Sequence, residues 1–310
     1  MTGSELPSGL LLKGLDGSNP LGFLAALGTL RVVTGASPSS KWYLQWQMSD
    51  GAWTPKLLGD GPLSEETLID LLIPVLKKLQ DQPALQFAKN LNVSCEQFRL
   101  VTEKAQTAAT LADRHEADFI AAFGCESLPI SERNPTIQDT ALRTMSGAGH
   151  QHFLGSMLEL VQTTEPEHLQ TSLFLPWQYA DKRPSMRWDP ADDRRYALRW
   201  KDPSKGSIRT VRGANRLAIE ALPLLPTAPG ERRLHTTGFS QRPGEGVVFT
   251  WPIWEVPLSM DVVRSLLSMT ELQEPEPDHA TLRARGVVEV YRSQRITTDK
   301  FRNFTVASPA

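Results

Sequence analysis

An α+β fold, helix-rich in its N-terminal half and strand-rich in its C-terminal half, is what three observations on the sequence predict. Apolar residues recur at three- and four-residue spacing in long segments up to about position 170. Beyond Leu173 the apolar runs shorten, and proline and glycine become frequent. Hydrophobic residues make up 40% of the chain and charged ones 22%, proportions that supply an ordinary buried core and exclude wholesale disorder. Over 310 residues this gives one large or two intimately packed units: a mainly helical part with short N-terminal strands over 1–170, and a strand-rich part carrying a basic segment over 171–310.

Leu10, Leu11 and Leu12 read as a short strand ended by the Asp16-Gly17 turn. Asn19 can accept from an orphan helix N–H, and Pro20 suits the first helical position because it has none to lose. LGFLAALGTLRVV then carries apolar residues on nearly every side, which marks a buried helix. Gly22, Ala25, Ala26 and Gly28 leave room for a second backbone, and Gly35 is the stop signal. The segment KWYLQWQMSDGAW at 41–53 reads as a hairpin turning at Asp50-Gly51. Ser64 followed by Glu65 and Glu66 opens a second helix through Leu68, Leu72 and Leu76, Ser94 with Gln97 opens a third, and Leu111 to Phe123 forms another that closes at Gly124. The glycines of TMSGAGHQHFLG at 144–155 lead into a helix built on Phe153, Leu154, Met157 and Leu160. Strands follow at 173–176, 196–200, 247–254 and 286–291, interrupted by helices at about 213–222 and 259–269, with the acidic stretch 271–279 as a surface loop.

Charge is distributed unevenly. Residues 182–216 hold eleven of the thirty-three Lys and Arg but only four of the thirty-five acidic residues, a local +7 in a chain whose total is −2. Eight of those eleven are Arg, interleaved with Trp188, Tyr196 and Trp200, and a guanidinium can both grip a phosphate bidentately and stack on a ring. Nucleic acid is therefore the first partner to consider. The candidate phosphate contacts are Arg187, Arg194, Arg195, Arg199, Lys201, Arg209, Arg212 and Arg216. Asp189, Asp192 and Asp193 can hold the nearer arginines in fixed rotamers, which leaves the less balanced stretch from Arg209 to Arg216 for phosphate. The competing reading is a structural network of Asp and Arg in which Trp188 and Trp200 anchor the core. The Ser146-Gly147-Ala148-Gly149 loop before a helix can aim backbone N–H groups at a phosphate, with His150 and Gln151 as secondary contacts, although a tight helix entry needs the same glycines.

Other chemistry is thinly signalled. There is no nucleophile elbow, no Cys-x-x-Cys, no Walker or dinucleotide fingerprint and no kinase signature, so no catalytic residue, cofactor or metal ligand is assigned. Asp113, His115, Glu116 and Asp118, together with His150 and His152, would make a metal-dependent phosphodiesterase if the two segments converged on one ion. Cys95 and Cys125 read as small apolar fillers, and their scarcity fits a reducing cytoplasm. No export signal or membrane span is expected. Trp251-Pro252-Ile253-Trp254 reads as a buried strand edge.

Three segments carry a family resemblance: LDGSNPLGFLAALGTLR at 15–31, RTMSGAGHQHFLGSM at 143–157, and RWDPADDRRYALRW with RGANRLAIEALPLLP between 187 and 226. The Gly-Phe and WPIW positions within 238–254 extend them. In these the chain resembles CRISPR-associated proteins of the type I-G system, formerly type I-U, in their accessory or large-subunit-like families. The resemblance implies a non-catalytic role in antiviral defence, in or beside an RNA-guided effector complex, with crRNA or target DNA and the effector subunits as partners. It supplies no catalytic residues. A pure protein-interaction scaffold is the remaining alternative.

Overall fold

The computed structural model describes residues 9–79, 82–111, 113–145, 152–192, 209–298 and 301–310. Its organising element is helix α1 (Pro20–Ala36), started as the sequence predicts: Asn19 Oδ1 accepts from the N–H groups of Leu21 and Gly22, and Pro20 occupies the first turn. Burial on nearly every side follows from its composition, with Phe23, Leu24, Leu27 and Leu30 all at 1% exposure or less. The helix runs one residue past Gly35 and ends at Ala36.

Two antiparallel sheets flank it. The first has the order β1 (Gly9–Leu11), β3 (Ala52–Gly59), β2 (Trp42–Ser49), β12 (Leu258–Ser259). Its central hairpin turns at Asp50 (φ 52°) and Gly51 (φ 82°), the two left-handed positions that a type I′ turn demands. The second sheet runs β10 (Phe239–Arg242), β11 (Gly246–Trp254), β13 (Val287–Thr298), β14 (Phe301–Phe304), with β15 (Ser308–Pro309) also paired to β13. Trp251 and Trp254 are fully buried in β11, a strand with neighbours on both sides over its first half. Pro252 is tolerated because the β10 ladder stops at Phe249, so no N–H is missed at Pro252 on that side.

An aromatic cluster joins the two sheets through α1. Phe23 stacks on Trp46 of β2 (centroids 5.8 Å, planes 16° apart) and meets Trp254 of β11 edge-on at 6.3 Å. Two indole N–H groups are satisfied within the same junction, Trp251 donating to the Gly17 carbonyl and Trp254 to that of Leu44, both at 2.8 Å, whereas the buried Trp46 Nε1 meets no acceptor among the described residues. Rings of this size contribute about 1.5–3 kcal/mol each on burial. Core residues from Leu12 to Phe304 form one continuous cluster.

The remaining helices are α2 (Glu65–Lys78), α3 (Cys95–Ala108), α4 (His115–Phe123), α5 (Phe153–Thr163), α6 (Pro166–Phe174), α7 (Arg212–Ile219), α8 (Met260–Leu267) and α9 (His279–Ala284). Ser64 and Ser94 cap α2 and α3 as expected. Three short strand pairs are also present: β4 (Gly124–Cys125) with β5 (Gln138–Asp139), β6 (Asp181–Lys182) with β7 (Arg209–Thr210), and β8 (Thr227–Pro229) with β9 (Leu234–Thr236). The architecture is the expected α+β, with helices concentrated in the first half and the five-stranded sheet near the C terminus. Two expectations are corrected. Residues 173–176 do not form a strand, because Leu169 and Leu173, four apart, lie on the buried face of α6 and Leu173-Phe174 is the tail of that helix. The helix expected from Leu111 begins at His115, because Thr110 and Asp113 turn the chain first through Asp113 N–H to Thr110 Oγ1 and His115 N–H to Asp113 Oδ1. No helix among the described residues is long and apolar enough to cross a membrane.

Helix α7 lies against α1 at Gly28, where a Cβ would come within 1.8 Å of the Leu217 carbonyl oxygen. Gly35, on the same helix, has nothing within 4 Å of that position. The two glycines therefore give opposite outcomes in denaturant unfolding. Gly28→Ala destabilises by about 1–3 kcal/mol through overpacking, and Gly35→Ala is neutral or stabilises by about 0.5–1 kcal/mol through helix propensity.

Candidate nucleic-acid interface

Residues 193–208 and 146–151 lie outside the described residues, and with them Arg194, Arg195, Arg199, Lys201, His150, Gln151 and the strand expected at 196–200. The described residues that flank the basic segment are arranged around the β6–β7 pair, where Asp181 lies opposite Thr210 and Lys182 opposite Arg209. Lys182, Arg183 and Arg209 are exposed there. Arg209 spends one donor on the Ala180 carbonyl (2.7 Å). Arg212 is half-buried: its guanidinium donates to the carbonyls of Thr163, Lys182 and Arg183, and its own N–H to Asp181 Oδ2 at 2.8 Å. Arg212 therefore ties the end of α5 to the strand pair. A guanidinium has five N–H donors, so Arg209 retains others for an anion.

Two acids of the island, Asp189 and Asp192, belong to a buried framework. Asp189 is 3% exposed; Oδ1 accepts from Asn19 Nδ2 (3.2 Å) and Ala191 N–H (2.9 Å), and Oδ2 from the Tyr179 hydroxyl (3.1 Å). Burial pushes the Asp189 carboxyl above the usual carboxylate range against the opposing effect of these bonds, and burial together with the Asp189 charge raises the Tyr179 phenol. Asp192 accepts from Ser185 Oγ. Trp188 is a core anchor, fully buried with its indole N–H on the Leu142 carbonyl at 2.9 Å.

Two of the predicted phosphate contacts are corrected by burial. Arg187 is 3% exposed and Arg216 is 0% exposed, so neither presents its guanidinium to solvent. Arg216 donates to the Leu76 carbonyl (2.6 Å) and to Glu220 Oε1 (2.9 Å), and Glu220 Oε2 accepts from Arg31 at 2.7 Å. Burial lowers the pKa of both guanidinium groups, opposed by the attraction of Glu220. Arg31 also lies over the Phe119 ring at 5.2 Å. Of the stretch expected to be free for phosphate, Arg209 is thus exposed, Arg212 half-buried and Arg216 committed to the core.

His115 belongs to this same cluster. Its ring stacks on Phe119 (5.0 Å, 17°) and its Nε2 lies 4.0 Å from Glu220 Oε2. Asp118, for its part, faces Arg114 (3.3 Å) and Arg264 (3.8 Å). Among the described residues no group of three or more His, Cys, Asp or Glu is placed to hold a metal ion.

Residues immediately upstream of the island contribute side chains that the sequence reading did not single out. Trp177 and Tyr179 stand edge to face (6.3 Å, 86°), with His168 of α6 and Asp181 beside them. The available signal was the run Trp177-Gln178-Tyr179 placed directly before Lys182, since aromatic residues next to clustered cations are the composition of a stacking surface.

Arg216→Ala leaves the Leu76 carbonyl unmet and Glu220 with one guanidinium fewer, and is expected to cost about 3–5 kcal/mol in denaturant unfolding. Charge reversal at exposed Lys182 should leave stability near wild type. Burial, followed by the charge of Arg31, holds the His115 imidazole below its ordinary value of 6.5, with Glu220, Asp113 and Asp118 opposing. The unfolded chain therefore binds a proton that the folded chain resists. The stability involved is complete above pH 6.5 and declines as pH falls from there through the folded value. Denaturant midpoints measured between pH 7.5 and 5 should show this slope, and His115→Gln should flatten it. No protein-family model matches the chain, and no curated protein shows significant similarity to it.

Proposed function

We propose that this chain is a component of, or accessory to, a type I-G CRISPR RNA-guided antiviral effector complex, working in the cytoplasm. In this reading it binds nucleic acid through its basic segment, or docks on effector subunits beside it, without catalysis of its own. The observation that carries the proposal is the division of the arginines. Arg187 and Arg216 are buried as framework, while exposed Lys182, Arg183 and Arg209 gather at the strand pair that flanks residues 193–208. That segment has five Lys and Arg against two Asp, with Tyr196 and Trp200 among them. Cations backed by a rigid framework suit phosphate, whose contacts position a strand without reading its bases. In an RNA-guided complex the reading is left to base pairing, and the protein has to supply only shape and charge. The motif resemblance at 15–31, 143–157 and 187–226 supports the assignment to that system.

Fluorescence anisotropy with single-stranded RNA and duplex DNA at two salt concentrations tests the proposal. Affinity should fall as salt rises. Changing Arg194 and Arg195 together to Ala should reduce the log–log salt slope by about 1.4 for single strands and about 1.8 for duplex DNA if each contacts one phosphate. Purification from the native operon should bring effector subunits along. A chain that neither binds nucleic acid at low salt nor carries effector subunits with it would sink the proposal.

A further inference from the structure

A cavity of about 160 Å³ opens beside the β6–β7 pair, lined by Trp177, Tyr179, His168, Asp181, Glu167 and Thr210 among others. Its size restricts the occupant. A cavity of about 150 Å³ admits benzene, whereas pockets for drug-sized ligands begin near about 300 Å³, so this one suits a single ring. The aromatic pair is fixed before any ligand arrives. The Trp177 indole N–H is spent on the Ser172 carbonyl (3.0 Å) and the Tyr179 hydroxyl on Asp189, leaving the ring faces as what these two side chains offer. Tyr179 also holds φ at 50°, a left-handed conformation uncommon for a bulky residue and concentrated at ligand-binding positions.

The polar side of the cavity is directional. His168 Nδ1 accepts from the Glu165 N–H (3.0 Å), so the neutral imidazole carries its proton on Nε2 and is a donor there. Asp181 Oδ2 is committed to the Arg212 N–H (2.8 Å). The remaining atoms, His168 Nε2 and Asp181 Oδ1, stand 3.8 Å apart, beyond hydrogen-bond length. Donor and acceptor are therefore side by side, and neither satisfies the other. This is not the geometry of a base-activating dyad, because with Nδ1 held by backbone only Nε2 is left, and it cannot serve both the carboxylate and a substrate.

We propose that the cavity takes up a single unstacked cytosine of a bound strand. The ring stacks on the aromatic corner, the N4 amino group donates to Asp181, and N3 accepts from His168. Carboxylate acceptors are matched to the cytosine amino group, and stacking on aromatic side chains is how single strands are held. Uracil and thymine reverse both polarities, presenting O4 to the carboxylate and N3–H to the imidazole N–H. Adenine shares the edge of cytosine but brings a second ring. Arg209, bonded to the Ala180 carbonyl in the cavity lining, supplies a cation for the adjoining phosphate.

The inference rests on the nucleic-acid reading above, and the test separates the two. Equal-length single-stranded C and U tracts are titrated by anisotropy at pH 7.5, and cytidine, uridine and N4,N4-dimethylcytidine are titrated by NMR. The C tract should bind about tenfold tighter, the discrimination of one well-made base contact. Of the nucleosides, only cytidine should perturb the cavity resonances, since dimethylation removes the amino donor. Asp181→Asn keeps an oxygen for the Arg212 N–H but turns an NH₂ into the cavity, and should abolish the C preference with an unchanged salt slope. Equal affinity for C and U overturns the cytosine site and leaves the charge-driven reading standing. Cytidine binding without binding of any strand defeats that reading and keeps the site. An arginine peptide that occupies the corner when cytidine does not would assign it to a cation of a partner protein, and would overturn the proposal.

Discussion

One buried carboxylate, Glu220, fixes how four helices meet. It accepts from Arg216 of α7 and Arg31 of α1 and faces His115 of α4, while Arg216 reaches on to the Leu76 carbonyl of α2. Three ionisable partners around one carboxylate, one of them also bonded to the Leu76 carbonyl, leave little freedom in the relative placement of these helices. The close approach of α7 to α1 at Gly28 then fixes their separation. Such a network need not add net stability, since apolar residues of equal volume often do as well. Its effect is positional. Helix α7 begins directly after β7, so fixing α7 fixes the strand pair that flanks the basic segment.

Much of this was legible in the chain because it rests on local rules. Asn19-Pro20 gives the start of α1, Asp50-Gly51 gives the type I′ turn, and the apolar circumference of α1 gives its burial. What was not legible depends on partners distant in sequence. Arg216 and Glu220 are four apart on a helix, which from sequence is the signature of a solvated surface pair. They are buried because Arg31 and the Leu76 carbonyl arrive from elsewhere, at separations of 189 and 140 residues. The same limit affected Asp189. Among the described residues its carboxylate holds Asn19 and Tyr179, the first of them 170 residues away in the chain.

The basic island thus serves two purposes within thirty-five consecutive residues. Its buried members bind the helices together, and its exposed members share a surface with an aromatic corner. Clustered positive charge in a sequence counts both kinds alike. The acids distinguish them only once their distant partners are known.

Asn19 connects the two regions. Its carboxamide oxygen caps α1 and its amide nitrogen donates to Asp189, which in turn holds the Tyr179 hydroxyl. A carboxamide can do both because it carries an acceptor and a donor on one planar group. An engineer improving helix starts by consensus would accept Asp here as an equal cap. At this position the exchange would set a second carboxylate against Asp189, so a substitution harmless to the helix would act on a tyrosine 160 residues away in the chain, roughly half its length.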